Sequence, residues 1–155
     1  MFPGDIMLWI GDTDSGDLVS ISSSGEVLER LSVGVDGPVA VAEEDVVLGH
    51  SRDGLVALRG GETLWTRAGE FAKVDFVVAD LDSDGEPELM VLTQDGWLEV
   101  LDVESGTVLG RLQHGRRGFE AAPVAFDLDD DGLLEVVLGS RDGFLAAYDG
   151  ATLSR

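Results

Sequence analysis

Two nine-residue stretches of the chain have the composition of a cation site. One reads Asp80-Leu81-Asp82-Ser83-Asp84-Gly85-Glu86-Pro87-Glu88, the other Asp127-Leu128-Asp129-Asp130-Asp131-Gly132-Leu133-Leu134-Glu135. Both carry carboxylates at positions 1, 3, 5 and 9 and glycine at position 6. Alternate residues of a tight loop converge on one centre, glycine allows the sharp turn, and a main-chain carbonyl at position 7 adds an oxygen; hard oxygen ligands on a flexible loop suit Ca2+. Clustered carboxylates repel one another, and a cation removes that cost. The expected ligands are Asp80, Asp82, Asp84, Glu86 (carbonyl) and Glu88 in the first loop, and Asp127, Asp129, Asp131, Leu133 (carbonyl) and Glu135 in the second. Neither is an EF-hand: position 12 is Val91 or Leu138, not a bidentate glutamate, and no helix follows. Asp130, at position 4, is expected to face solvent. Asp12, Asp14 and Asp17 form a looser acidic cluster, and Glu43-Glu44-Asp45 is too short to wrap an ion.

Other chemistry has thinner support. The chain has no cysteine, which excludes disulfides, thiol catalysis and thiolate metal sites. The two histidines, His50 and His114, lack the spaced nucleophile and acid of a triad. Trp9, Trp65 and Trp97 occupy strand or strand-edge positions, where core packing accounts for them. Arg116-Arg117 is the one adjacent basic pair, and a solvated connecting loop is its expected setting. Carboxylate pairs are so plentiful that none singles out a glycosidase site. No catalytic and no cofactor-anchoring residue is assigned.

The elements that must position the acidic loops come from a repeat. Four segments share one form: an apolar strand, a turn with glycine, a second strand, and another glycine turn. The anchor glycines are Gly16, Gly54, Gly96 and Gly143, spaced by 38, 42 and 47 residues. Periods near 40 with short strands are those of propeller blades. The Asp-Gly pairs at 53–54, 95–96 and 142–143 predict type I′ hairpins, with positive φ at both central residues. Leading strands precede the last three repeats at Pro38–Ala42, Phe76–Ala79 and Pro123–Phe126. The pattern predicts an all-β chain: a propeller or partial propeller of about four blades of four-stranded antiparallel sheet. The first blade lacks its leading strand, and the last strand, Thr152 to Arg155, is short. One domain spans 1–155, with repeats near 1–34, 35–70, 71–118 and 119–155. A self-closed ring of four, a piece of a longer propeller, and half of a ring completed by a second copy all fit this pattern.

The chain has 155 residues, 31 acids, 10 bases and a net charge of -21. Acids are spread evenly, with 14 in residues 1–77 and 17 in 78–155. Clustered cations for nucleic acid or an anionic membrane surface are missing. So wide an acidic surface, with Lys73 the sole lysine, is a composition expected of salt-adapted proteins. No apolar run is long enough for a membrane helix. Calcium loops favour an extracellular or cell-surface setting; a start at Met1 without a signal peptide argues for the cytoplasm.

The acidic loops, with Leu89-Met90-Val91 and Val136-Val137-Leu138-Gly139 after them, resemble the FG-GAP or integrin-alpha-type repeat. That resemblance implies calcium between the first two strands of a blade, on the ten residues named above. Glutamate at position 9 departs from the family's usual aspartate, and Ala122-Pro123 is the nearest remnant of its Gly-Ala-Pro signature. Gly96-Trp97-Leu98-Glu99-Val100-Leu101-Asp102 through Gly106-Thr107-Val108-Leu109, and Ala57 through Trp65, resemble quinoprotein-like (PQQ-like) propeller repeats. There Trp65 holds the blade-docking tryptophan position, which becomes Gly110 in the third repeat and Glu29 in the first. The resemblances imply a calcium-binding propeller acting as a structural or protein-interaction scaffold, with self-association or another protein completing the ring. A fragment or subunit of a quinoprotein-like or carbohydrate-active enzyme is the alternative.

Overall fold

A computed structural model describes residues 8–42 and 46–154. The acidic run Glu43-Glu44-Asp45 and the final Arg155 lie outside the described residues. Four antiparallel sheets follow one another along the chain. The first holds β1 (Leu8–Asp12), β2 (Asp17–Ile21) and β3 (Val27–Ser32). The second holds β4 (Val35–Val41), β5 (Val46–Ser51), β6 (Gly54–Arg59) and β7 (Glu62–Ala68). The third holds β8 (Val77–Ala79), β9 (Glu88–Leu92), β10 (Trp97–Asp102) and β11 (Val108–Gln113). The fourth holds β12 (Val124–Phe126), β13 (Glu135–Gly139) and β14 (Leu145–Asp149). Within each sheet the strands pair in chain order.

The sheets stack face to face as an unclosed row of four propeller blades. The central strands of sheets 2 and 3 are buried on both faces, which is why they read as unbroken apolar runs, whereas burial alternates along β13 in sheet 4. Leu18 packs with Val47, Val56 and Leu58 between sheets 1 and 2. Val46, Leu48, Leu55 and Ala57 meet Leu89, Val91 and Leu101 between sheets 2 and 3. Met90, Leu92, Leu98 and Val100 meet Val136, Leu138 and Tyr148 between sheets 3 and 4. Among the described residues nothing covers the outer faces of sheets 1 and 4, and Leu8, Ile10, Val124, Phe126 and Leu145 are exposed there.

The hairpins correct the sequence expectation. Asp53, Asp95 and Asp142 do not adopt positive φ; glycine alone does, with Gly96 at 93° and Gly143 at 85°. Thr93 accepts from the Gly96 N–H at 3.3 Å and donates its own N–H to the Trp97 carbonyl at 2.8 Å. Ser140, Gly143 and Phe144 repeat this at 3.0 and 2.9 Å. The β9–β10 and β13–β14 turns are three-residue loops, a type I turn closed by a left-handed glycine, while at β5–β6 Ser51 pairs with Gly54 across Arg52-Asp53, neither of which has positive φ. A hydroxyl selects the three-residue loops: Thr93 Oγ1 donates to Asp95 at 2.6 Å and accepts the Trp97 N–H at 2.9 Å. Ser140 Oγ likewise donates to Asp142. The fourth sheet also has three strands rather than four. After β14 the chain turns at once, Leu153 N–H bonding Asp149 O at 2.8 Å.

Blade docking persists where the sequence loses its tryptophan. Trp65 on β7 donates Nε1–H to Val103 O at 2.8 Å. Its ring lies on Gly106, where a Cβ would sit 2.7 Å from it. At the equivalent Gly110 the filling group comes from the other side: Leu153 of the next sheet occupies the space, 2.9 Å from where a Cβ would be. Glu29, at the same position in sheet 1, lies against Gly61 of sheet 2.

Candidate metal centres

The loops β8–β9 and β12–β13 fold alike. In the first, Asp80 accepts the N–H of Asp84 at 3.1 Å and of Gly85 at 3.0 Å. In the second, Asp127 accepts the N–H of Asp131 at 3.2 Å and of Gly132 at 2.9 Å. Position 9 closes each loop: Glu88 accepts the Leu81 N–H at 2.7 Å and Glu135 the Leu128 N–H at 2.7 Å. The backbone matches as well. Ser83 and Asp130 both have φ 61°, and Gly85 and Gly132 have φ 93° and 90°. A short polar side chain tolerates the left-handed turn at position 4, and Asp130 faces solvent as expected.

Positions 1, 3 and 9 converge. Asp80, Asp82 and Glu88 each offer an oxygen within 4.8 Å of the others, and Asp127, Asp129 and Glu135 do the same. Oxygens bound to one Ca2+ at about 2.5 Å stand at most about 5 Å apart, so both triplets fit an ion of that size. The donor set is oxygen alone, which suits hard divalent cations and disfavours softer metals. Asp84 and Asp131 lie outside the triplets. Each accepts the N–H two residues on, Glu86 at 2.8 Å and Leu133 at 2.9 Å, and so shapes the turn. The Glu86 and Leu133 carbonyls are not placed against the triplets by any contact seen here.

The first centre is the more enclosed. Glu88 is buried at the start of β9. Burial is the main cause that raises its carboxyl above the usual range; the Leu81 N–H opposes this, and Asp82, Asp84 and Asp80 add to it. A cation among these groups reverses the balance.

The remaining candidates resolve into structural roles. Asp17 is held by Arg30 at 2.9 Å and Ser32 at 2.7 Å, bonds that lower its carboxyl, the Ser32 hydroxyl most. Asp12 accepts the N–H groups of Asp14 and Ser15. These three acids do not converge as a metal group among the described residues. His50 is buried, stacked on Phe76 at 4.5 Å, with Nε2 at 3.2 Å from Val74 O. Desolvation lowers its pKa. His114 is also buried, although its neighbours in sequence are polar. It bonds Tyr148 Oη at 2.8 Å and stacks near Phe119. Neither histidine has the setting of a triad. Arg116 donates its main-chain N–H to Asp142 at 3.0 Å, and Arg117 borders a hollow with Lys73, Gln94 and Arg141. Trp97 lies beneath the Arg111 guanidinium at 4.0 Å, a surface cation–π pair. A larger hollow of about 690 Å³ lies between sheets 1 and 2, beside the β1–β2 and β5–β6 turns, at the rim opposite the acidic loops.

No protein-family model and no curated protein matches this sequence. Solved structures do match. BamB from Moraxella catarrhalis superposes with a TM-score of 0.72 at 19% identity, over 97% of this chain and 44% of that one. BBS1N, solved in complex with ARL6DN, gives 0.74 at 17% identity, over 99% of this chain and 48% of that one. A europium-containing methanol dehydrogenase gives 0.64 at 13% identity, over 88% and 39%. The chain spans less than half the length of each. At these identities the shared property is the fold: this chain is a partial, open β-propeller of four blades.

Proposed function

We propose that residues 1–155 form one propeller-type domain that binds calcium at two loops and serves as a structural or protein-interaction scaffold. One observation carries this reading. Two loops 47 residues apart, each between the first two strands of its sheet, repeat the same hydrogen bonds and the same carboxylate triplet. Chance acidity on an acidic surface does not reproduce a bonding pattern. The arrangement is that implied by the FG-GAP resemblance, with Asp80, Asp82 and Glu88, and Asp127, Asp129 and Glu135, as side-chain ligands. Asp84 and Asp131 order each turn or join as ligands when the ion enters, and the Glu86 and Leu133 carbonyls complete the shell. Bound ions brace one rim and stabilise the fold by linkage. A scaffold also suits the open ends of the row, which protein association completes. Fold alone does not choose the role, since a dehydrogenase and a protein solved with its partner share it.

The test is calorimetric titration of chelator-stripped protein with Ca2+ in ~1 M salt, Mg2+ serving as control. Salt at that level shortens the screening length to about 3 Å and suppresses diffuse attraction to the surface. Saturable binding near two ions per chain is expected, with Asp80→Ala and Asp127→Ala each removing one. No saturable heat, together with an unchanged melting temperature, overturns the reading.

A further inference from the structure

Leu81 and Leu128 are the same residue of two like loops. Each is position 2, and each donates its N–H to the position-9 glutamate at 2.7 Å. Their surroundings differ completely. Leu81 is 1% exposed, its Cδ2 lying 3.3 Å from the space beside Gly150 in the following sheet. Leu128 is 52% exposed, with no further sheet packed on the fourth among the described residues.

The strands repeat this contrast. Leu92 of β9 pairs with Leu98 of β10, and both are buried against sheet 4. Their counterparts one sheet on are Gly139 and Leu145, also paired, and Leu145 is 72% exposed. At the other end of the row, Ile10 of β1 points away from sheet 2 and is 41% exposed. The face of sheet 4 is therefore the forward half of a blade-to-blade contact, and the face of sheet 1 is the rearward half. The three contacts inside the chain show that these two kinds of face pack on each other.

We propose that a second copy of this chain supplies the missing halves, the fourth sheet of each copy docking on the first sheet of the other. This rests on the scaffold reading for its open propeller and not on calcium. Two unlike faces make a head-to-tail contact, which builds a closed ring when the rotation allows and a filament when it does not. The curvature favours closure by two. Almost the whole row superposes on somewhat less than half of a longer propeller, 97% of this chain on 44% of BamB and 99% on 48% of BBS1N. Two such rows together match the residue length of nearly one such propeller. Covering both ends also removes the exposed sheet faces that otherwise invite aggregation. Like-charged copies repel, so association strengthens with salt.

Sedimentation equilibrium on the full chain, from micromolar to near-millimolar concentration and at low and molar salt, tests this. The expected result is a mass of twice 16.4 kDa, favoured by high salt. Leu145→Glu alone and Ile10→Glu alone each return the protein to single-chain mass; Leu8→Glu is a second variant on the same face as Ile10. Circular dichroism and a cooperative melt confirm that each variant is folded. A single-chain mass under all conditions overturns the proposal. So does a dimer that survives the folded Ile10 and Leu8 variants, which points to like faces pairing, and so does open-ended polymer. Calcium stoichiometry is read on the same samples. A doubled mass without calcium binding refutes the metal centres and leaves the ring; two ions bound to a strict monomer does the reverse.

Discussion

Glu88 and Glu135 each do two jobs at the close of their loops. Each spans from the start of a strand to the position-2 N–H, and each still joins the carboxylate triplet. Glu88→Gln separates the two jobs. The amide oxygen keeps the Leu81 N–H bond, while the charge that Asp80, Asp82 and Asp84 oppose is gone. The chelated variant is expected to melt no lower than the parent, and the first loop to lose calcium affinity by roughly tenfold or more as ligand charge falls. Equal calorimetric affinity in parent and variant refutes Glu88 as a ligand. His50 gives a different prediction. It is buried and held neutral, its pKa lowered from 6.5 by desolvation, with nearby Asp36 and Lys73 acting in opposite directions. The unfolded chain therefore takes up a proton that the folded chain refuses as pH falls through 6.5. Stability is lost from there down to the lowered value, by at most about 1.4 kcal/mol per pH unit for one proton. Urea melts across that window should show a shallower loss in His50→Gln than in the parent.

At the scale of the element, blade docking sets the most specific contacts. Trp65 gives its ring to Gly106 and its N–H to Val103 across the gap between sheets 2 and 3. Trp65→Ala should cost about 2–4 kcal/mol, less than a wholly buried tryptophan because its ring is part exposed. Gly106→Ala should also destabilise, since its Cβ lands on that ring and its φ is 69°. In the double variant the clash is relieved and only the backbone strain remains. The two losses should therefore sum to more than the double variant's loss, read from urea midpoints at constant m; strict additivity contradicts the contact. Trp65 was legible in the sequence because a tryptophan after a glycine turn is conspicuous. Leu153 was not, because it fills the space at Gly110 from 43 residues away. His114 was hidden likewise by polar neighbours, its partner Tyr148 lying in another sheet. The blades were readable because strands buried on both faces are apolar throughout, and the loops because carboxylate spacing is local. Spacing did not separate Asp84 and Asp131, which accept the N–H two residues on and stand outside the triplets, from the acids that converge. The turn type was misread because two of the Asp-Gly pairs end three-residue loops that follow Thr93 or Ser140, and the third has its glycine already paired in β6.

Over the whole molecule, three of the bases tie neighbouring blades together, while Arg30 and Arg111 pair inside their own sheets. Arg67 of β7 bonds Glu99 of β10 at 2.7 Å, Arg59 of β6 pairs with Glu104, and Lys73 pairs with Asp36 of β4. Most other acids have no cation to answer them at a net charge of -21. That surplus destabilises the compact state by self-repulsion. Screening shortens its reach from about 8 Å at physiological salt to about 3 Å at 1 M. With chelator present, the melting temperature should therefore climb with sodium chloride, by about 2–4 °C for each kcal/mol relieved. Guanidinium chloride and urea separate this effect from general solvation. At low concentration guanidinium is a salt as well as a denaturant, so it should raise the melting temperature before lowering it, while urea lowers it from the start. Calcium should act differently from both. Its binding stops at two ions per chain, and its stabilisation is worth about 2.7 kcal/mol per site at a hundredfold excess over Kd and grows by only about 1.4 kcal/mol for each further tenfold, whereas screening has no stoichiometry. A melting temperature indifferent to salt means that the acids lie far enough apart not to repel. The cation-pairing cost would then be confined to the two loops, where three carboxylates share one centre.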